Sequence, residues 1–192
     1  MDGVAMTGGR ARIGRSWDDI QPYYISGQGA DVAGTATYGT TPFQWYKFTD
    51  NHAKDEQLQF SFQLPHRWAA ATDVHLHLHV VPSANGAGGN EDVSFRLSYQ
   101  WIEINSAFST TTMTTPADTT FRVGAADANK HLIWEFTALA GAGHSLSSDL
   151  AVIVYRMSKT NAADNYTGDI WLRYIDLHVE IDSLGSISEL AK

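Results

Sequence analysis

The segment TDVHLHLHVV at residues 72–81 alternates polar and apolar side chains without interruption for eight residues, from Asp73 to Val80. A strict period of two is typical of a β-strand that has one face in a hydrophobic core. The pattern therefore predicts a strand with two different faces. Its core face carries Val74, Leu76, Leu78 and Val80, and its other face carries His75, His77 and His79.

The three histidines are compatible with a metal site, a partner surface or a polar exterior. Side chains on one face of a strand lie about 6.6 Å apart, so two adjacent histidines can share one zinc ion, whereas His75 and His79, at about 13 Å, cannot easily do so. A third ligand must then come from another strand, and no acidic residue follows this strand before Glu91. We expect a polar row or an interface, with no bound metal or cofactor, and keep His75, His77 and His79 as the candidate ligands.

Similar patterns recur along the chain from residue 57. Segments rich in alternating or β-branched residues are separated by Gly, Asn and Pro turns, and Pro65 ends the first of them. About eight strands of this kind predict an all-β fold, an antiparallel β-sandwich of jelly-roll-like type. The predicted strands lie at 57–64, 72–81, 93–104, 109–115, 119–123, 131–139, 150–157 and 170–181.

Residues 1–56 lack sustained periodicity but contain many aromatic side chains. We predict an extended N-terminal arm over 1–56, a β-sandwich domain over 57–182 and a C-terminal tail over 183–192. The arm can pack on its own domain or on a neighbouring protein. Its aromatic residues are the predicted partner contacts, because exposed rings can anchor a protein interface or stack on a sugar: Trp17, Tyr23, Tyr24, Trp45 and Tyr46.

Composition narrows the classes of function. The formal net charge of −8 disfavours binding to nucleic acid, and the absence of cysteine excludes disulfides and thiolate chemistry. No segment has the roughly 20 apolar residues of a membrane span. The first 16 residues lack the apolar segment of a secretory signal, so we expect a protein made in a cytoplasm.

Catalytic motifs are also missing from the sequence. It contains no Gly-x-Ser-x-Gly elbow and no glycine-rich nucleotide loop. Acidic pairs such as Asp18 with Asp19 are common in any acidic chain and do not by themselves indicate a glycosidase. We therefore predict that the protein is not an enzyme and has no catalytic residues.

Four segments resemble a pattern found in small structural proteins of tailed bacteriophages. In that pattern a Pro-His-x-Trp segment precedes a histidine-rich strand and a strand that ends in Tyr-x-Trp. The resemblance covers residues 57–180 and implies a virion component with a jelly-roll-like sandwich. The matching segments are FQLPHRW at 62–68, TDVHLHLH at 72–79, FRLSYQW at 95–101 and GDIWLRYIDLH at 168–178.

The expected function is that of a virion structural protein, assembled in the host cytoplasm. The preferred expectation is a capsid cement or decoration protein. It would be a homotrimer that binds the major capsid protein or other virion proteins through its sandwich and arm. A tail, collar or receptor-binding module is the alternative. A metal-dependent or carbohydrate-active enzyme on the same sandwich is the second alternative.

Overall fold

A computed structural model describes residues 5–7, 10–26, 34–50, 54–89, 91–107 and 112–186. Within these ranges the chain forms twelve β-strands in two antiparallel sheets, and a single 3-10 turn at Ala87–Gly89 is the only helical element. The prediction of an all-β, jelly-roll-like antiparallel sandwich is confirmed. Within the same ranges, no helix has the length and hydrophobicity that a bilayer span requires.

The strands, numbered in chain order, have the following bounds: β1 Ala5–Thr7, β2 Arg10–Ile20, β3 Tyr24–Ser26, β4 Gly34–Thr37, β5 Gln44–Phe48, β6 Glu56–Gln63, β7 Val74–Pro82, β8 Glu91–Ile102, β9 Thr119–Val123, β10 Leu132–Glu135, β11 Asp149–Arg156 and β12 Ile170–Ser186.

The long strand β12 organises the first sheet, which we call sheet A. It pairs with β7 along one edge, and with β5 and then β2 along the other. Strands β1, β4 and β10 extend the sheet beyond β2, β5 and β7. The second sheet, sheet B, has the order β3-β6-β11-β8-β9.

The core lies between the two sheets and is built from alternate residues of each strand. On β7 the predicted inward residues, Val74, Leu76, Leu78 and Val80, are all buried, as the period of two requires. Sheet B contributes a matching apolar layer from its central strands. That layer includes Leu58, Phe60, Phe62, Phe95, Leu97, Val152 and Val154.

A β-bulge interrupts the alternation of β12. Strict alternation over residues 170–181 would place Trp171 and Arg173 on the same face as Ile175. The pairing of β12 with β7 shifts by one residue between Leu172 and Tyr174, so Ile170 and Leu172 are buried on the same side as Ile175. Because Arg173 is an extra residue in the pairing, residues 170–172 point to the faces opposite to those that strict alternation would assign.

The segment predicted as an arm supplies strands to both sheets of its own sandwich. Strand β2 pairs with β12 over Ser16–Ile20, β5 pairs with β12, and β3 pairs with β6. In the described ranges, residues 1–56 are thus more extensively β-paired than an extended arm. The alternation was not visible because polar residues occupy both parities of β2, as with Arg15 and Asp19 against Ser16 and Asp18.

Two further predictions concern segments at the margin of the described chain. Strand β12 runs on to Ser186, past the predicted start of the tail at residue 183, and residues 187–192 lie outside the described ranges. Of the Thr-rich stretch predicted as a strand, Thr114 forms an isolated antiparallel bridge with Tyr99. Residues 109–111 of that stretch also lie outside the described ranges.

A buried ion pair between Arg156 and Asp164 lies at one end of the core. Arg156, on the inward face of β11, is fully buried and donates two hydrogen bonds to Asp164, at 3.1 and 3.0 Å. Its remaining donors reach the carbonyl oxygens of Tyr166 and Gly168 at 2.7 and 2.8 Å. These bonds tie the loop before β12 to the core.

Replacing Arg156 should therefore be costly. We expect Arg156→Met to lower the free energy of unfolding by about 3–5 kcal/mol, because it leaves the Asp164 carboxylate buried without a counter-ion. Urea denaturation measures the change. Arg122→Met is the matched control, since Arg122 pairs with Asp92 at the surface, and it should have a far smaller effect. Equal losses in the two variants would contradict this role for the buried pair.

Glu103, just after β8, holds the loop that precedes β11. It accepts hydrogen bonds from Ser145, from Ser148 at 2.8 Å and from His144, whose Nδ1 lies 2.9 Å away. Burial raises the pKa of the Glu103 carboxyl, but the three hydrogen bonds outweigh burial and the net shift is downward. The ionised carboxylate is the form that stabilises the loop.

The stability contributed by Glu103 should depend on pH. Its folded-state pKa lies below that of the unfolded chain, so the contribution is present above the unfolded pKa and is lost as pH falls through the folded pKa. We expect the stability difference between the wild type and Glu103→Gln to shrink between about pH 6 and about pH 3. Urea denaturation at both pH values tests this, and a constant difference would refute it.

Candidate functional site

The outer face of sheet A carries the histidine row of β7 next to a second polar row from β12. The antiparallel register places His75 opposite His178, His77 opposite Asp176 and His79 opposite Tyr174. Because directly paired residues point to the same side of a sheet, all of these side chains lie together. With Trp17 from β2, His131 before β10, and Ile133 and Glu135 from β10, they form a surface that we call the imidazole face.

Asp176 lies at the centre of the imidazole face. Its side chain is only 5 % exposed; Oδ2 is 3.2 Å from Nε2 of His79, and Oδ1 is 3.5 Å from Nδ1 of His77. Oδ1 is buried and accepts no hydrogen bond. Burial raises the pKa of the Asp176 carboxyl, although the neighbouring His79 opposes the shift. A buried carboxylate oxygen without a donor is uncommon and requires an explanation.

His79 is held in place from several sides. Its Nδ1 lies 2.8 Å from Nε2 of His131, and its ring stacks on Tyr174 with centroids 3.8 Å apart. Burial lowers the pKa of the His79 imidazole, against the opposing charge of Asp176. The ring is therefore fixed with Nε2 directed at Asp176.

The other two histidines have different partners. His75 Nδ1 lies 2.6 Å from Glu135 Oε1, and His178 Nε2 lies 3.7 Å from Asp19 Oδ1. The Trp17 ring covers both imidazoles, with centroid distances of 5.5 Å to His75 and 4.8 Å to His178. His75 does not contact Asp176 directly, and Glu135 lies between His75 and His77. The face is a connected network rather than a plain polar exterior.

The predicted contact residues are divided among several locations. Trp17 lies on the imidazole face, and Trp45 stacks on Tyr38 at 4.5 Å in an aromatic group at the other end of sheet A. Tyr46 is turned inward against the core. Tyr23 is 62 % exposed and donates a hydrogen bond to Asp149 of sheet B at 3.0 Å. The side chain of Tyr24 lies outside the described part of the structure.

Sequence reasoning missed Asp176 as the partner of the histidine row. An acid was expected only among the residues that follow β7, whereas the acid comes from β12. The sequence contains a signal, because three polar side chains alternate with Ile175, Leu177 and Val179 in the last strand: Tyr174, Asp176 and His178. What the pattern lacked was the knowledge that β12 pairs with β7.

The outer face of sheet B is different in character. A depression of about 370 Å³ is lined by Gln57, Arg96 and Tyr155 among others. A second one, of about 180 Å³, is lined by Gln59, Gln100 and other residues of β6, β8 and β11. Amide, guanidinium and phenol groups offer both donors and acceptors to a polar ligand.

Comparisons with known proteins identify no family. No protein-family model matches the chain, and no curated protein matches it either.

Solved structures that resemble the fold do so weakly. A carbohydrate-binding module, TmCBM61 in complex with beta-1,4-galactotriose, aligns with 87% of this chain over 88% of its own length, with 10% sequence identity and a TM-score of 0.34. A family 22 carbohydrate-binding module of Clostridium thermocellum Xyn10B matches over 90% of this chain and 88% of its own, with 14% identity and a TM-score of 0.32. The enzymatically active domain of tailspike protein 4 of bacteriophage CBA120 aligns with 92% of this chain over 21% of its own length, with 4% sequence identity and a TM-score of 0.35. Likeness at this level indicates neither a shared family nor a shared ligand.

Proposed function

We propose that this chain is a non-enzymatic structural protein of a tailed-bacteriophage virion that binds a neighbouring virion protein through the imidazole face. The virion assignment is supported by the sequence resemblance over residues 57–180. The observation that carries the binding surface is the composition of the outer face of sheet A, where imidazole and aromatic rings replace the small polar side chains typical of a solvated sheet.

Exposed apolar groups flank the polar centre of this face. Trp17, on β2, is 52% exposed and Ile133, on β10, is 58% exposed. Protein interfaces are anchored by a few large side chains of this kind. Several of the polar groups between them already contact one another, so a partner can cover them with little loss of hydrogen bonding.

The pairing of residues 1–56 changes which surface we propose as the contact with the virion. An arm free to grip the capsid lattice was one argument for a cement protein, but the strands described from residues 1–56 pair with their own sandwich. The imidazole face then becomes the contact surface, on the major capsid protein or on another subunit of the proposed homotrimer. Capsid cement is one form of the proposal, and a tail or collar position is the other.

A receptor-binding module is the second candidate, supported by the depressions on sheet B. The Tyr155 ring and the Gln57 amide lie side by side there, because these two residues are paired across β6 and β11. A phenol ring supplies a surface on which a sugar can stack, and amides can bind its hydroxyl groups. The outer face of sheet B would bind a glycan, while the imidazole face on sheet A holds the protein in the particle.

The docking surface can be tested by incorporation into virions. We expect the double variant Trp17→Ala/Ile133→Ser to lose at least about tenfold in occupancy of purified particles, since losing two anchors typically costs more than 1.4 kcal/mol. Quantitative mass spectrometry of gradient-purified virions measures occupancy. Tyr155→Ala, on the opposite sheet, is the control and should incorporate normally. Full incorporation of the double variant, or absence of the wild-type protein from virions, would contradict the proposal.

The glycan candidate has a separate test. We expect the purified wild-type chain to bind a subset of a glycan array, and Tyr155→Ala to abolish that binding because it removes the stacking ring. Trp17→Ala should bind as the wild type does. An array without any bound glycan, or equal binding by Tyr155→Ala, would eliminate the receptor-binding candidate and leave the docking proposal standing.

A further inference from the structure

We propose that His77, His79 and Asp176 bind one divalent transition-metal ion, with zinc as the best-suited ion, at the centre of the imidazole face. One ligand atom from each of the three side chains lies within 4.8 Å of the other two. All three side chains are at least largely buried, and they come from the paired strands β7 and β12. The site goes beyond the proposed virion role and does not depend on it.

The distances match those around a tetrahedral zinc ion. Ligands at about 2.0–2.1 Å from the metal in tetrahedral geometry are about 3.4 Å from one another. Asp176 Oδ1 lies 3.5 Å from His77 Nδ1, and the other carboxylate oxygen, Oδ2, lies 3.2 Å from His79 Nε2. With one ligand atom taken from each residue, the three atoms lie within 4.8 Å of one another. Small side-chain rotations would bring them to the spacing around a zinc ion.

The unpartnered oxygen of Asp176 is an independent observation in favour of a cation. Asp176 Oδ1 is buried and receives no hydrogen bond, although it faces the His77 ring. Burying a carboxylate oxygen without a donor or a counter-ion is costly. A metal ion at this point would satisfy the oxygen directly.

His79 also has the outer support that metal ligands usually have. Its Nδ1 lies 2.8 Å from His131 Nε2, and such a partner fixes the orientation of a ligating ring. Its Nε2 faces Asp176. His77 presents Nδ1 to Asp176, and its Nε2 lies 3.8 Å from Glu135 Oε2, beyond hydrogen-bond distance.

The ligand types determine the class of ion. Two imidazole nitrogens and one carboxylate oxygen suit zinc and its transition-metal neighbours better than calcium or magnesium, which prefer oxygen ligands. Three protein ligands leave a fourth tetrahedral position for water or another donor. His75 is excluded from the set because its Nδ1 is engaged with Glu135 at 2.6 Å.

The test is zinc binding to the purified, metal-stripped chain, measured by isothermal titration calorimetry. We expect one equivalent of Zn²⁺ to bind, and Asp176→Asn and His77→Ala each to weaken binding by more than about 100-fold, a larger loss than that for an outer-shell partner. His131→Ala should weaken it by about 10–100-fold. His75→Ala, on the same face of the same strand, is the matched control and should bind as the wild type does.

A second readout keeps the test independent of variants that fold poorly. Co²⁺ added to the wild-type chain should give the visible absorption bands of a tetrahedral ion, and one equivalent of Zn²⁺ should remove them. Thermal unfolding should also shift upward with Zn²⁺ in the wild type and in His75→Ala, but not in Asp176→Asn. No saturable binding, or equal weakening by His75→Ala and His77→Ala, would overturn the site. None of these measurements involves virions, so the metal site and the virion role can fail separately.

Discussion

The antiparallel pairing of β7 with β12 is the constraint on which both sides of sheet A depend. It sets Leu76 opposite Leu177 in the core and His77 opposite Asp176 on the outer face. Because successive side chains alternate between the two faces, a slip of one residue would bring the histidines into the core and the aliphatic side chains out to solvent. Because that exchange would be costly, β7 and β12 pair in a single register. This register brings the side chains of the imidazole face together.

The imidazole face differs energetically from an ordinary solvated surface. Asp176 and His79 are nearly as buried as core residues, yet they lie on the side of sheet A over which the described residues form no second layer. His79 is covered by Tyr174, which stacks on it, and by His131. Asp176 lies between the rings of His77 and His79. A protein that keeps polar groups in such surroundings loses solvation free energy, which a bound ion or a bound partner can restore. The proposed metal site and the proposed docking surface are two uses of this same arrangement.

The sequence allowed different parts of the structure to be predicted to different degrees. The faces of β7 were predictable because its alternation is uninterrupted, whereas in β12 the single extra residue Arg173 reverses the parity without any local signal. Strands β2 and β5 were missed because their patterns are too polar or too short to show a buried face. Asp176 could be placed on a polar face but not beside His77, since the two residues are far apart in the chain and pairing between strands is a tertiary property. The faces of a strand with uninterrupted alternation were thus predictable, and the proximity of residues on different strands was not.

We propose the imidazole face, and not the opposite sheet, as the surface through which this chain is held in a larger assembly. A cryo-electron microscopy reconstruction of the assembled particle tests it most directly. Our account predicts that density from a neighbouring protein covers Trp17 and Ile133, while the Tyr155 side of sheet B remains open. A reconstruction in which Trp17 and Ile133 face solvent and sheet B forms the contact would contradict it.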